Sequence, residues 1–341
     1  MVIKTFTRFA VFIFLLASVR LSAQDIHFSM FYASPLTLNP ALTGANDGTY
    51  RAAGIYRSQW ASISTPFTTY AVSFDIKLLQ EKLKNDIFGV GGLFVGDKSG
   101  DGRLALNSGL VSVAYHKGLD KNHRHFLGLG VQLAYTQRSL KTADLSFPNQ
   151  YNQVSGLFDQ PNFDNISKPT LGYFDMNAGL LHQSTFNDVI GMMTGLSVFH
   201  LVQPKESFLG QNVILANRFT VTEGFHIRII EHLYINPNFI FQYQNKATEY
   251  NLGANFEYHI PAKGSDLVAS IGGWYRIKDA AIVTAGIEYY KIRGMFAYDI
   301  NASNLKPATN GRGAFELAII YTGIIKPKTL NYPILVPCPM M

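Results

Sequence analysis

Charge is scarce in this chain. Asp, Glu, Lys and Arg make up 15% of its 341 residues, where roughly a quarter is usual for a soluble domain. Cysteine is nearly missing. Cys338 stands alone, which excludes an internal disulfide and leaves a secreted chain to find its stability elsewhere. Beyond the first segment, no apolar run approaches the roughly 18 residues that mark a spanning helix. The G-x-S-x-G, H-E-x-x-H and phosphate-cradling glycine patterns are absent too. Aromatics are what abounds, with 25 Phe and 18 Tyr in a chain that is 47% hydrophobic. Many aromatics, few charges and no spanning helix is the composition of a transmembrane β-barrel.

Residues 1–23 read as a secretory signal. Lys4 and Arg8 precede an apolar run over 9–19, and Leu21-Ser22-Ala23 supplies a small residue before Gln24. Losing Lys4, Arg8 and Arg20 takes the formal charge from +6 to +3, too little to argue for nucleic acid. No Cys stands at the cleavage point, which argues against a diacylated lipoprotein.

Strands carry the rest. The stretch 248–298 divides into four segments of two-residue period separated by turns, and tight turns make neighbours antiparallel. Nine earlier segments are predicted, over 49–58, 69–78, 87–95, 104–116, 126–139, 173–183, 189–199, 213–222 and 233–243, and a fourteenth follows residue 313. In the second, Tyr70, Val72, Phe74, Ile76 and Leu78 alternate with Thr69, Ala71, Ser73, Asp75 and Lys77. In the fifth, Leu127, Leu129, Val131, Leu133 and Tyr135 oppose Gly128, Gly130, Gln132, Ala134 and Thr136. A soluble sandwich would put Lys and Glu on its non-core face. Gly, Ser, Asn and Gln there suit a lumen, with the apolar face toward lipid. Pro237 must sit at a bulge or lose a ladder bond.

Connection lengths support fourteen. The long loops 140–169, 203–211 and 299–313 all fall at odd-numbered connections, as they would with external loops longer than periplasmic ones. Connection eight, over 223–232, is not short unless it belongs to longer strands. Residues 24–48 read as a periplasmic extension tucked at the barrel mouth, because Pro35, Pro40 and the lack of period argue against a strand. Residues 49–326 then form the barrel, and the proline-rich 327–341 a periplasmic tail. Tyr50, Tyr56, Trp60, Tyr70, Tyr243, Tyr250, Tyr258, Tyr275 and Tyr298 are candidates for two headgroup girdles.

Little points to chemistry. His123-x-His125 lacks further ligands for a metal, and no cofactor motif appears. Ser184 near His182, or Ser197 near His200, are the serine–histidine candidates, without a visible acid. Glycines such as Gly89, Gly91, Gly128, Gly130 and Gly195 relieve crowding inside a curved sheet. Two readings are open for the inward charges Asp75, Lys77, Glu257, Glu288 and Glu316: a water-filled channel lining, or pairing inside a closed interior.

Phe31-Tyr-Ala-Ser-Pro-Leu-Thr-Leu-Asn-Pro-Ala-Leu-Thr-Gly44, followed by Tyr56-Arg-Ser-Gln-Trp60 and Tyr70-Ala-Val-Ser-Phe-Asp75, resembles the opening of the PorP/SprF family. These are outer-membrane proteins of the type IX secretion and gliding machinery of Bacteroidota. The likeness spans nearly the whole mature chain and includes a Cys-Pro close to the C-terminus. Here Cys338-Pro339-Met340-Met341 replaces the more usual Cys-Pro-x-Phe. The resemblance implies a non-enzymatic barrel in outer-membrane lipid, helping to export or retain an adhesin with a C-terminal sorting domain. It also implies contact with periplasmic, lipoprotein-linked components. Phe31, Tyr32, Pro35, Leu38, Asn39, Pro40 and Ala41, with Cys338 and Pro339, would be partner-contact or plug residues. The Asn39-Pro40-Ala41 block has a second reading as a lock on the lead-in to strand one. For Cys338, partner contact, lipidation and no function are all open. The rival function is a passive porin or transporter of small or apolar solutes.

Overall fold

The computed structural model describes residues 25–63, 65–83, 85–100, 104–141, 145–161, 169–208, 212–262, 265–304 and 306–325. The signal segment and the tail with Cys338 and Pro339 lie outside them.

Fourteen antiparallel strands close on themselves: β1 (Tyr50–Gln59), β2 (Phe67–Leu78), β3 (Ile87–Ser99), β4 (Leu104–Gly118), β5 (His125–Ser139), β6 (Thr170–Thr185), β7 (Ile190–Phe199), β8 (Arg218–Ile230), β9 (Leu233–Gln244), β10 (Ala247–Ala262), β11 (Ser265–Arg276), β12 (Ala280–Tyr289), β13 (Ile292–Asn301) and β14 (Arg312–Gly323). The seam pairs the first strand with the last, from Tyr50 with Gly323 to Gln59 with Ala314. Closure gives every strand two neighbours, which is how a sheet survives in lipid.

The two-residue period places the side chains as expected. Leu127, Leu129, Leu133 and Tyr135 are exposed on the outer wall, while Gln132, Ala134 and Thr136 are buried inside. Tyr50, Tyr258, Tyr289 and Tyr321 fall at the end reached by even-numbered connections, and Tyr56, Tyr243, Tyr250 and Tyr275 at the other.

Several boundaries differ from the sequence reading. Connection eight is a tight turn at Glu231-His232 between long strands. The eighth strand starts at Arg218, not 213, because Ile214 bridges instead to Lys205. Asp299 belongs to β13 rather than to the loop expected over 299–313, and it faces the lumen, buried. Opposite Pro237, the β8–β9 register passes from Gly224–Asn238 to Ile227–Ile235. The β9–β10 and β12–β13 turns are two-residue connections at Asn245-Lys246 and Tyr290-Lys291. All four residues have positive φ, the backbone a tight hairpin requires.

Candidate functional site

The lumen is occupied by the chain itself. Residues 25–48 run inside the barrel from the end with the long loops to the opposite end, rather than sitting at a periplasmic mouth. Their contacts track this path: Asp25 meets Gln244 and His200 at one rim, and Asn46 meets Lys77 near the other.

Prolines and short turns shape the thread. Pro35 and Pro40 each open one helical turn, and the Asn39 side chain caps the second by accepting the Ala41 N–H at 2.8 Å. Such a segment leaves many backbone groups without ladder partners, so the wall must satisfy them.

Near the long-loop end, Glu316 takes the N–H groups of Ser29 and Met30 at 2.6 and 2.8 Å. Arg57 reaches Glu316 at 2.5 Å and Asp299 at 3.1 Å, and Arg276 reaches Asp299 at 2.7 Å. The Ser29 hydroxyl donates to Asp299 at 2.7 Å. Two arginines thus grip the thread through two buried carboxylates, and Arg276 also pairs with Asp279 at 2.6 Å. A removed partner would leave its counter-charge buried and alone.

Phe31 and Tyr32 meet Trp274, edge-on at 5.5 Å and stacked at 5.2 Å between ring centroids. Farther along, Gln132 donates to Leu36 O at 3.2 Å and Ser197 to Leu38 O at 2.9 Å. The Asn39 amide donates to the Leu180 and Leu196 carbonyls at 2.9 and 3.2 Å, tying the thread to β6 and β7. Phe31, Tyr32, Pro35, Leu38, Asn39, Pro40 and Ala41 are all buried here. Two inward glycines make the fit possible. A Cβ on Gly130 would meet the backbone of Pro40 and Ala41 at 2.3–2.4 Å, and one on Gly89 would meet Thr43 O at 2.4 Å.

At the far end, Asp75 accepts Gly44 N–H at 2.9 Å and the Asn46 amide at 3.0 Å. Arg51 pairs with Asp75 at 2.9 Å and donates to Leu42 O at 3.0 Å. Most inward charges therefore grip the thread rather than line water. Glu257 and Glu288 instead share Arg293, at 3.0 and 2.6 Å. Voids beside the thread include one of about 10 Å³ next to Tyr32 and one of about 40 Å³ next to Asp47, room for one or a few waters.

A second ionic group sits at the long-loop rim. His200, just past β7, is held between Asp175 of β6 and Asp25 of the thread, the latter at 2.5 Å, with Arg218 3.6 Å from Asp25. Burial alone would lower the His200 pKa, but hydrogen bonds to Asp175 and Asp25 outweigh it and raise it. Burial would likewise raise Asp25, yet His200 and Arg218 hold its carboxyl below the usual range.

Of the two serine–histidine candidates, one comes apart and one meets. Ser197 donates to Leu38 and His200 to the aspartates. Ser184 does meet His182 at 3.0 Å and His125 at 2.9 Å, on a serine that is almost fully buried. His125 is thus engaged by Ser184 rather than by His123.

Sequence reasoning missed Arg51, Arg57, Trp274 and Arg276, and it offered His200 as a partner for Ser197 rather than for two aspartates. A signal existed for the first two: both fall on the lumenal parity of β1, where a long cation needs a partner.

Three comparisons place this geometry. A family model described as type IX secretion system membrane protein PorP/SprF matches residues 21–321. No curated protein matches the chain. Among solved structures, the CymD monoaromatic hydrocarbon channel superposes with a TM-score of 0.51 at 10% identity, covering 86% of this chain and 93% of that one. The Pseudomonas putida toluene transporter TodX superposes with a TM-score of 0.47 at 12% identity, covering 89% and 98%. At 10% identity the likeness to the CymD channel is one of fold.

Proposed function

The chain belongs to the PorP/SprF family of type IX secretion system membrane proteins, and from that premise we propose that it works as a plugged accessory barrel. In this reading it helps to export, or hold at the cell surface, a large adhesin-like protein with a C-terminal sorting domain. It is an outer-membrane β-barrel and not an enzyme. One observation carries the accessory reading: residues 25–48 fill the lumen and are bonded to the wall along their whole length. A passive pore needs that space open, whereas a docking protein needs a rigid barrel with shaped ends. The long-loop end is assigned to the exported partner. The opposite end and residues 327–341 are assigned to periplasmic, lipoprotein-linked components of the machinery.

The test is surface retention of a reporter fused to a C-terminal sorting domain, in cells lacking the chain and in cells given it back. Retention should return with the chain. Equal retention in both strains ends this reading.

A second reading is passage of small or apolar solutes. The fold shared with a monoaromatic hydrocarbon channel favours it. It requires the thread to move, because residues 25–48 run through the lumen bonded to its wall.

A further inference from the structure

The wall is not equally tall around its circumference. β6 spans Thr170–Thr185, while its neighbour β7 spans only Ile190–Phe199. On one side β6 pairs with β5 throughout, from Thr170–Ser139 to Ser184–His125. On the other it pairs with β7 only from Ala178 to Thr185. Among the described residues, the upper part of β6 thus has a bare edge toward β7, the longest such stretch in the wall.

The direction of the backbone groups follows from two bonds. Leu201 N–H donates to Met176 O at 2.9 Å, so even-numbered residues of β6 turn their N–H and C=O toward β7. Leu140 N–H donates to Pro169 O at 2.8 Å, so odd-numbered residues turn toward β5. Where β7 stops, side chains close the ladder. Asp175 accepts Met176 N–H at 2.8 Å, and Asn177 accepts His200 N–H at 3.1 Å. His200 has φ +61, and beyond it Lys205 bridges to Ile214 while Glu206 accepts from Arg138 and, at 3.4 Å, from the Tyr173 hydroxyl on the inner face of the wall. Above that closure, Thr170, Gly172 and Phe174 are exposed, with Phe174 at 75%.

Bare backbone edges do not persist in hydrocarbon, so this stretch stands at or above the headgroups. The outer face agrees, changing from Tyr135 and Phe174 to Gln137 and Asn107 in the next registers. Soluble edges are normally blunted by proline, lysine or a bulge. Lys168 and Pro169 stand just before the edge, but between Thr170 and Asp175 the sequence Thr-Leu-Gly-Tyr-Phe-Asp has none of these. Alternating N–H and C=O groups two residues apart match one thing well, another extended backbone. Phe174 and its neighbour Tyr135, 5.0 Å away between ring centroids, offer an apolar contact on the outer face.

We infer that the edge of β6 over residues 170–175 is a strand-addition site that receives an extended segment of an exported protein at the cell surface. The identity of that occupant rests on the functional reading above; the edge itself does not. Two main-chain positions, Gly172 and Phe174, would carry the pairing.

The site can be tested without touching the barrel. Gly172→Pro removes an N–H that points away from β5, a place where an edge strand tolerates proline. Gly172→Ala is the control: it adds the same Cβ against the movable Tyr135 hydroxyl but keeps the N–H. In intact cells carrying a photoreactive p-benzoylphenylalanine at position 170 of the full chain, illumination should yield a cross-link. Mass spectrometry should map it to an extended segment of an exported protein. Its yield should survive Gly172→Ala and fall about tenfold with Gly172→Pro, the scale of one lost backbone hydrogen bond. Heat-modifiable migration of each variant confirms that the barrel is folded. A cross-link to residues 162–168 of the same chain, to a second copy, or to nothing overturns the inference, as does a yield indifferent to proline. A cross-link to a surface protein that is not type IX cargo would uphold the edge and sink the functional reading.

Discussion

Arg51 and Asp75 face each other across β1 and β2 at 2.9 Å, both fully buried, and the second oxygen of Asp75 accepts Gly44 N–H. One carboxylate therefore joins two wall strands to the end of the lumenal thread. A wall pair that also satisfies the thread's backbone makes the plug part of the fold rather than an insert.

Asp75→Ala leaves the Arg51 cation and Gly44 N–H without this partner. Removing one member of a buried pair costs about 3–5 kcal/mol, so the midpoint of the heat-modifiability transition should drop clearly. Replacing both residues, Arg51→Met with Asp75→Leu, should recover part of the loss. A single variant as stable as the parent would contradict the pairing.

Gly130→Val places side-chain carbons where Pro40 and Ala41 lie. Backbone cannot yield there as a flexible tip would, and overpacking of this sort costs about 1–3 kcal/mol. The barrel should still form, but the thread should shift. Limited proteolysis should cut within residues 25–48 faster in the variant than in the parent. Gly109→Ala, with open space at its Cβ, should leave the cleavage rate unchanged.

The His200 contact sets a pH dependence with a definite sign. Its folded pKa is raised by Asp175 and Asp25, so its contribution is full below the ordinary imidazole value near 6.5. That contribution is lost as pH rises through the raised value. Hydrogen exchange of the Ile26–Phe28 amides, corrected for base catalysis, should therefore accelerate on the alkaline side. With His200→Gln the acceleration should disappear. Loosening on acidification through pH 6 would contradict this sign.

Asp25 lies at the long-loop rim, bonded to Gln244 and His200. An epitope placed directly before Asp25, after the signal segment, should be reached by antibody on intact cells. The same epitope in the Glu231-His232 turn, at the opposite end, should need permeabilised cells. Reversed accessibility would mean that the barrel is inverted relative to its loops.

Much of the fold was legible because lipid imposes a simple rule. Residues such as Val72, Leu129 and Ile319 must face outward, and a period of two then dictates Ser73, Gly130 and Ile320 inside. The strand ends were less legible where side chains rather than turn residues end the pairing, as Asp175 and Asn177 do beside β7. The thread's place is not legible in the sequence, because prolines and missing period say only that it is not a strand. Its place depended on partners far away in sequence: Trp274 for Tyr32, Glu316 for Ser29, and Gly130 for Pro40. No local pattern announces such pairs. Asp299 falls at the first position of the loop expected over 299–313, yet two buried arginines hold it in the wall.

The most direct test of a lumen closed by its own chain is ionic conductance of the purified full-length barrel in planar bilayers. Residues 25–48 in place predict no steady open-pore current, with conductance appearing in Gly130→Val. A stable, wide-pore current from the unaltered protein would contradict the plugged barrel and favour the channel reading.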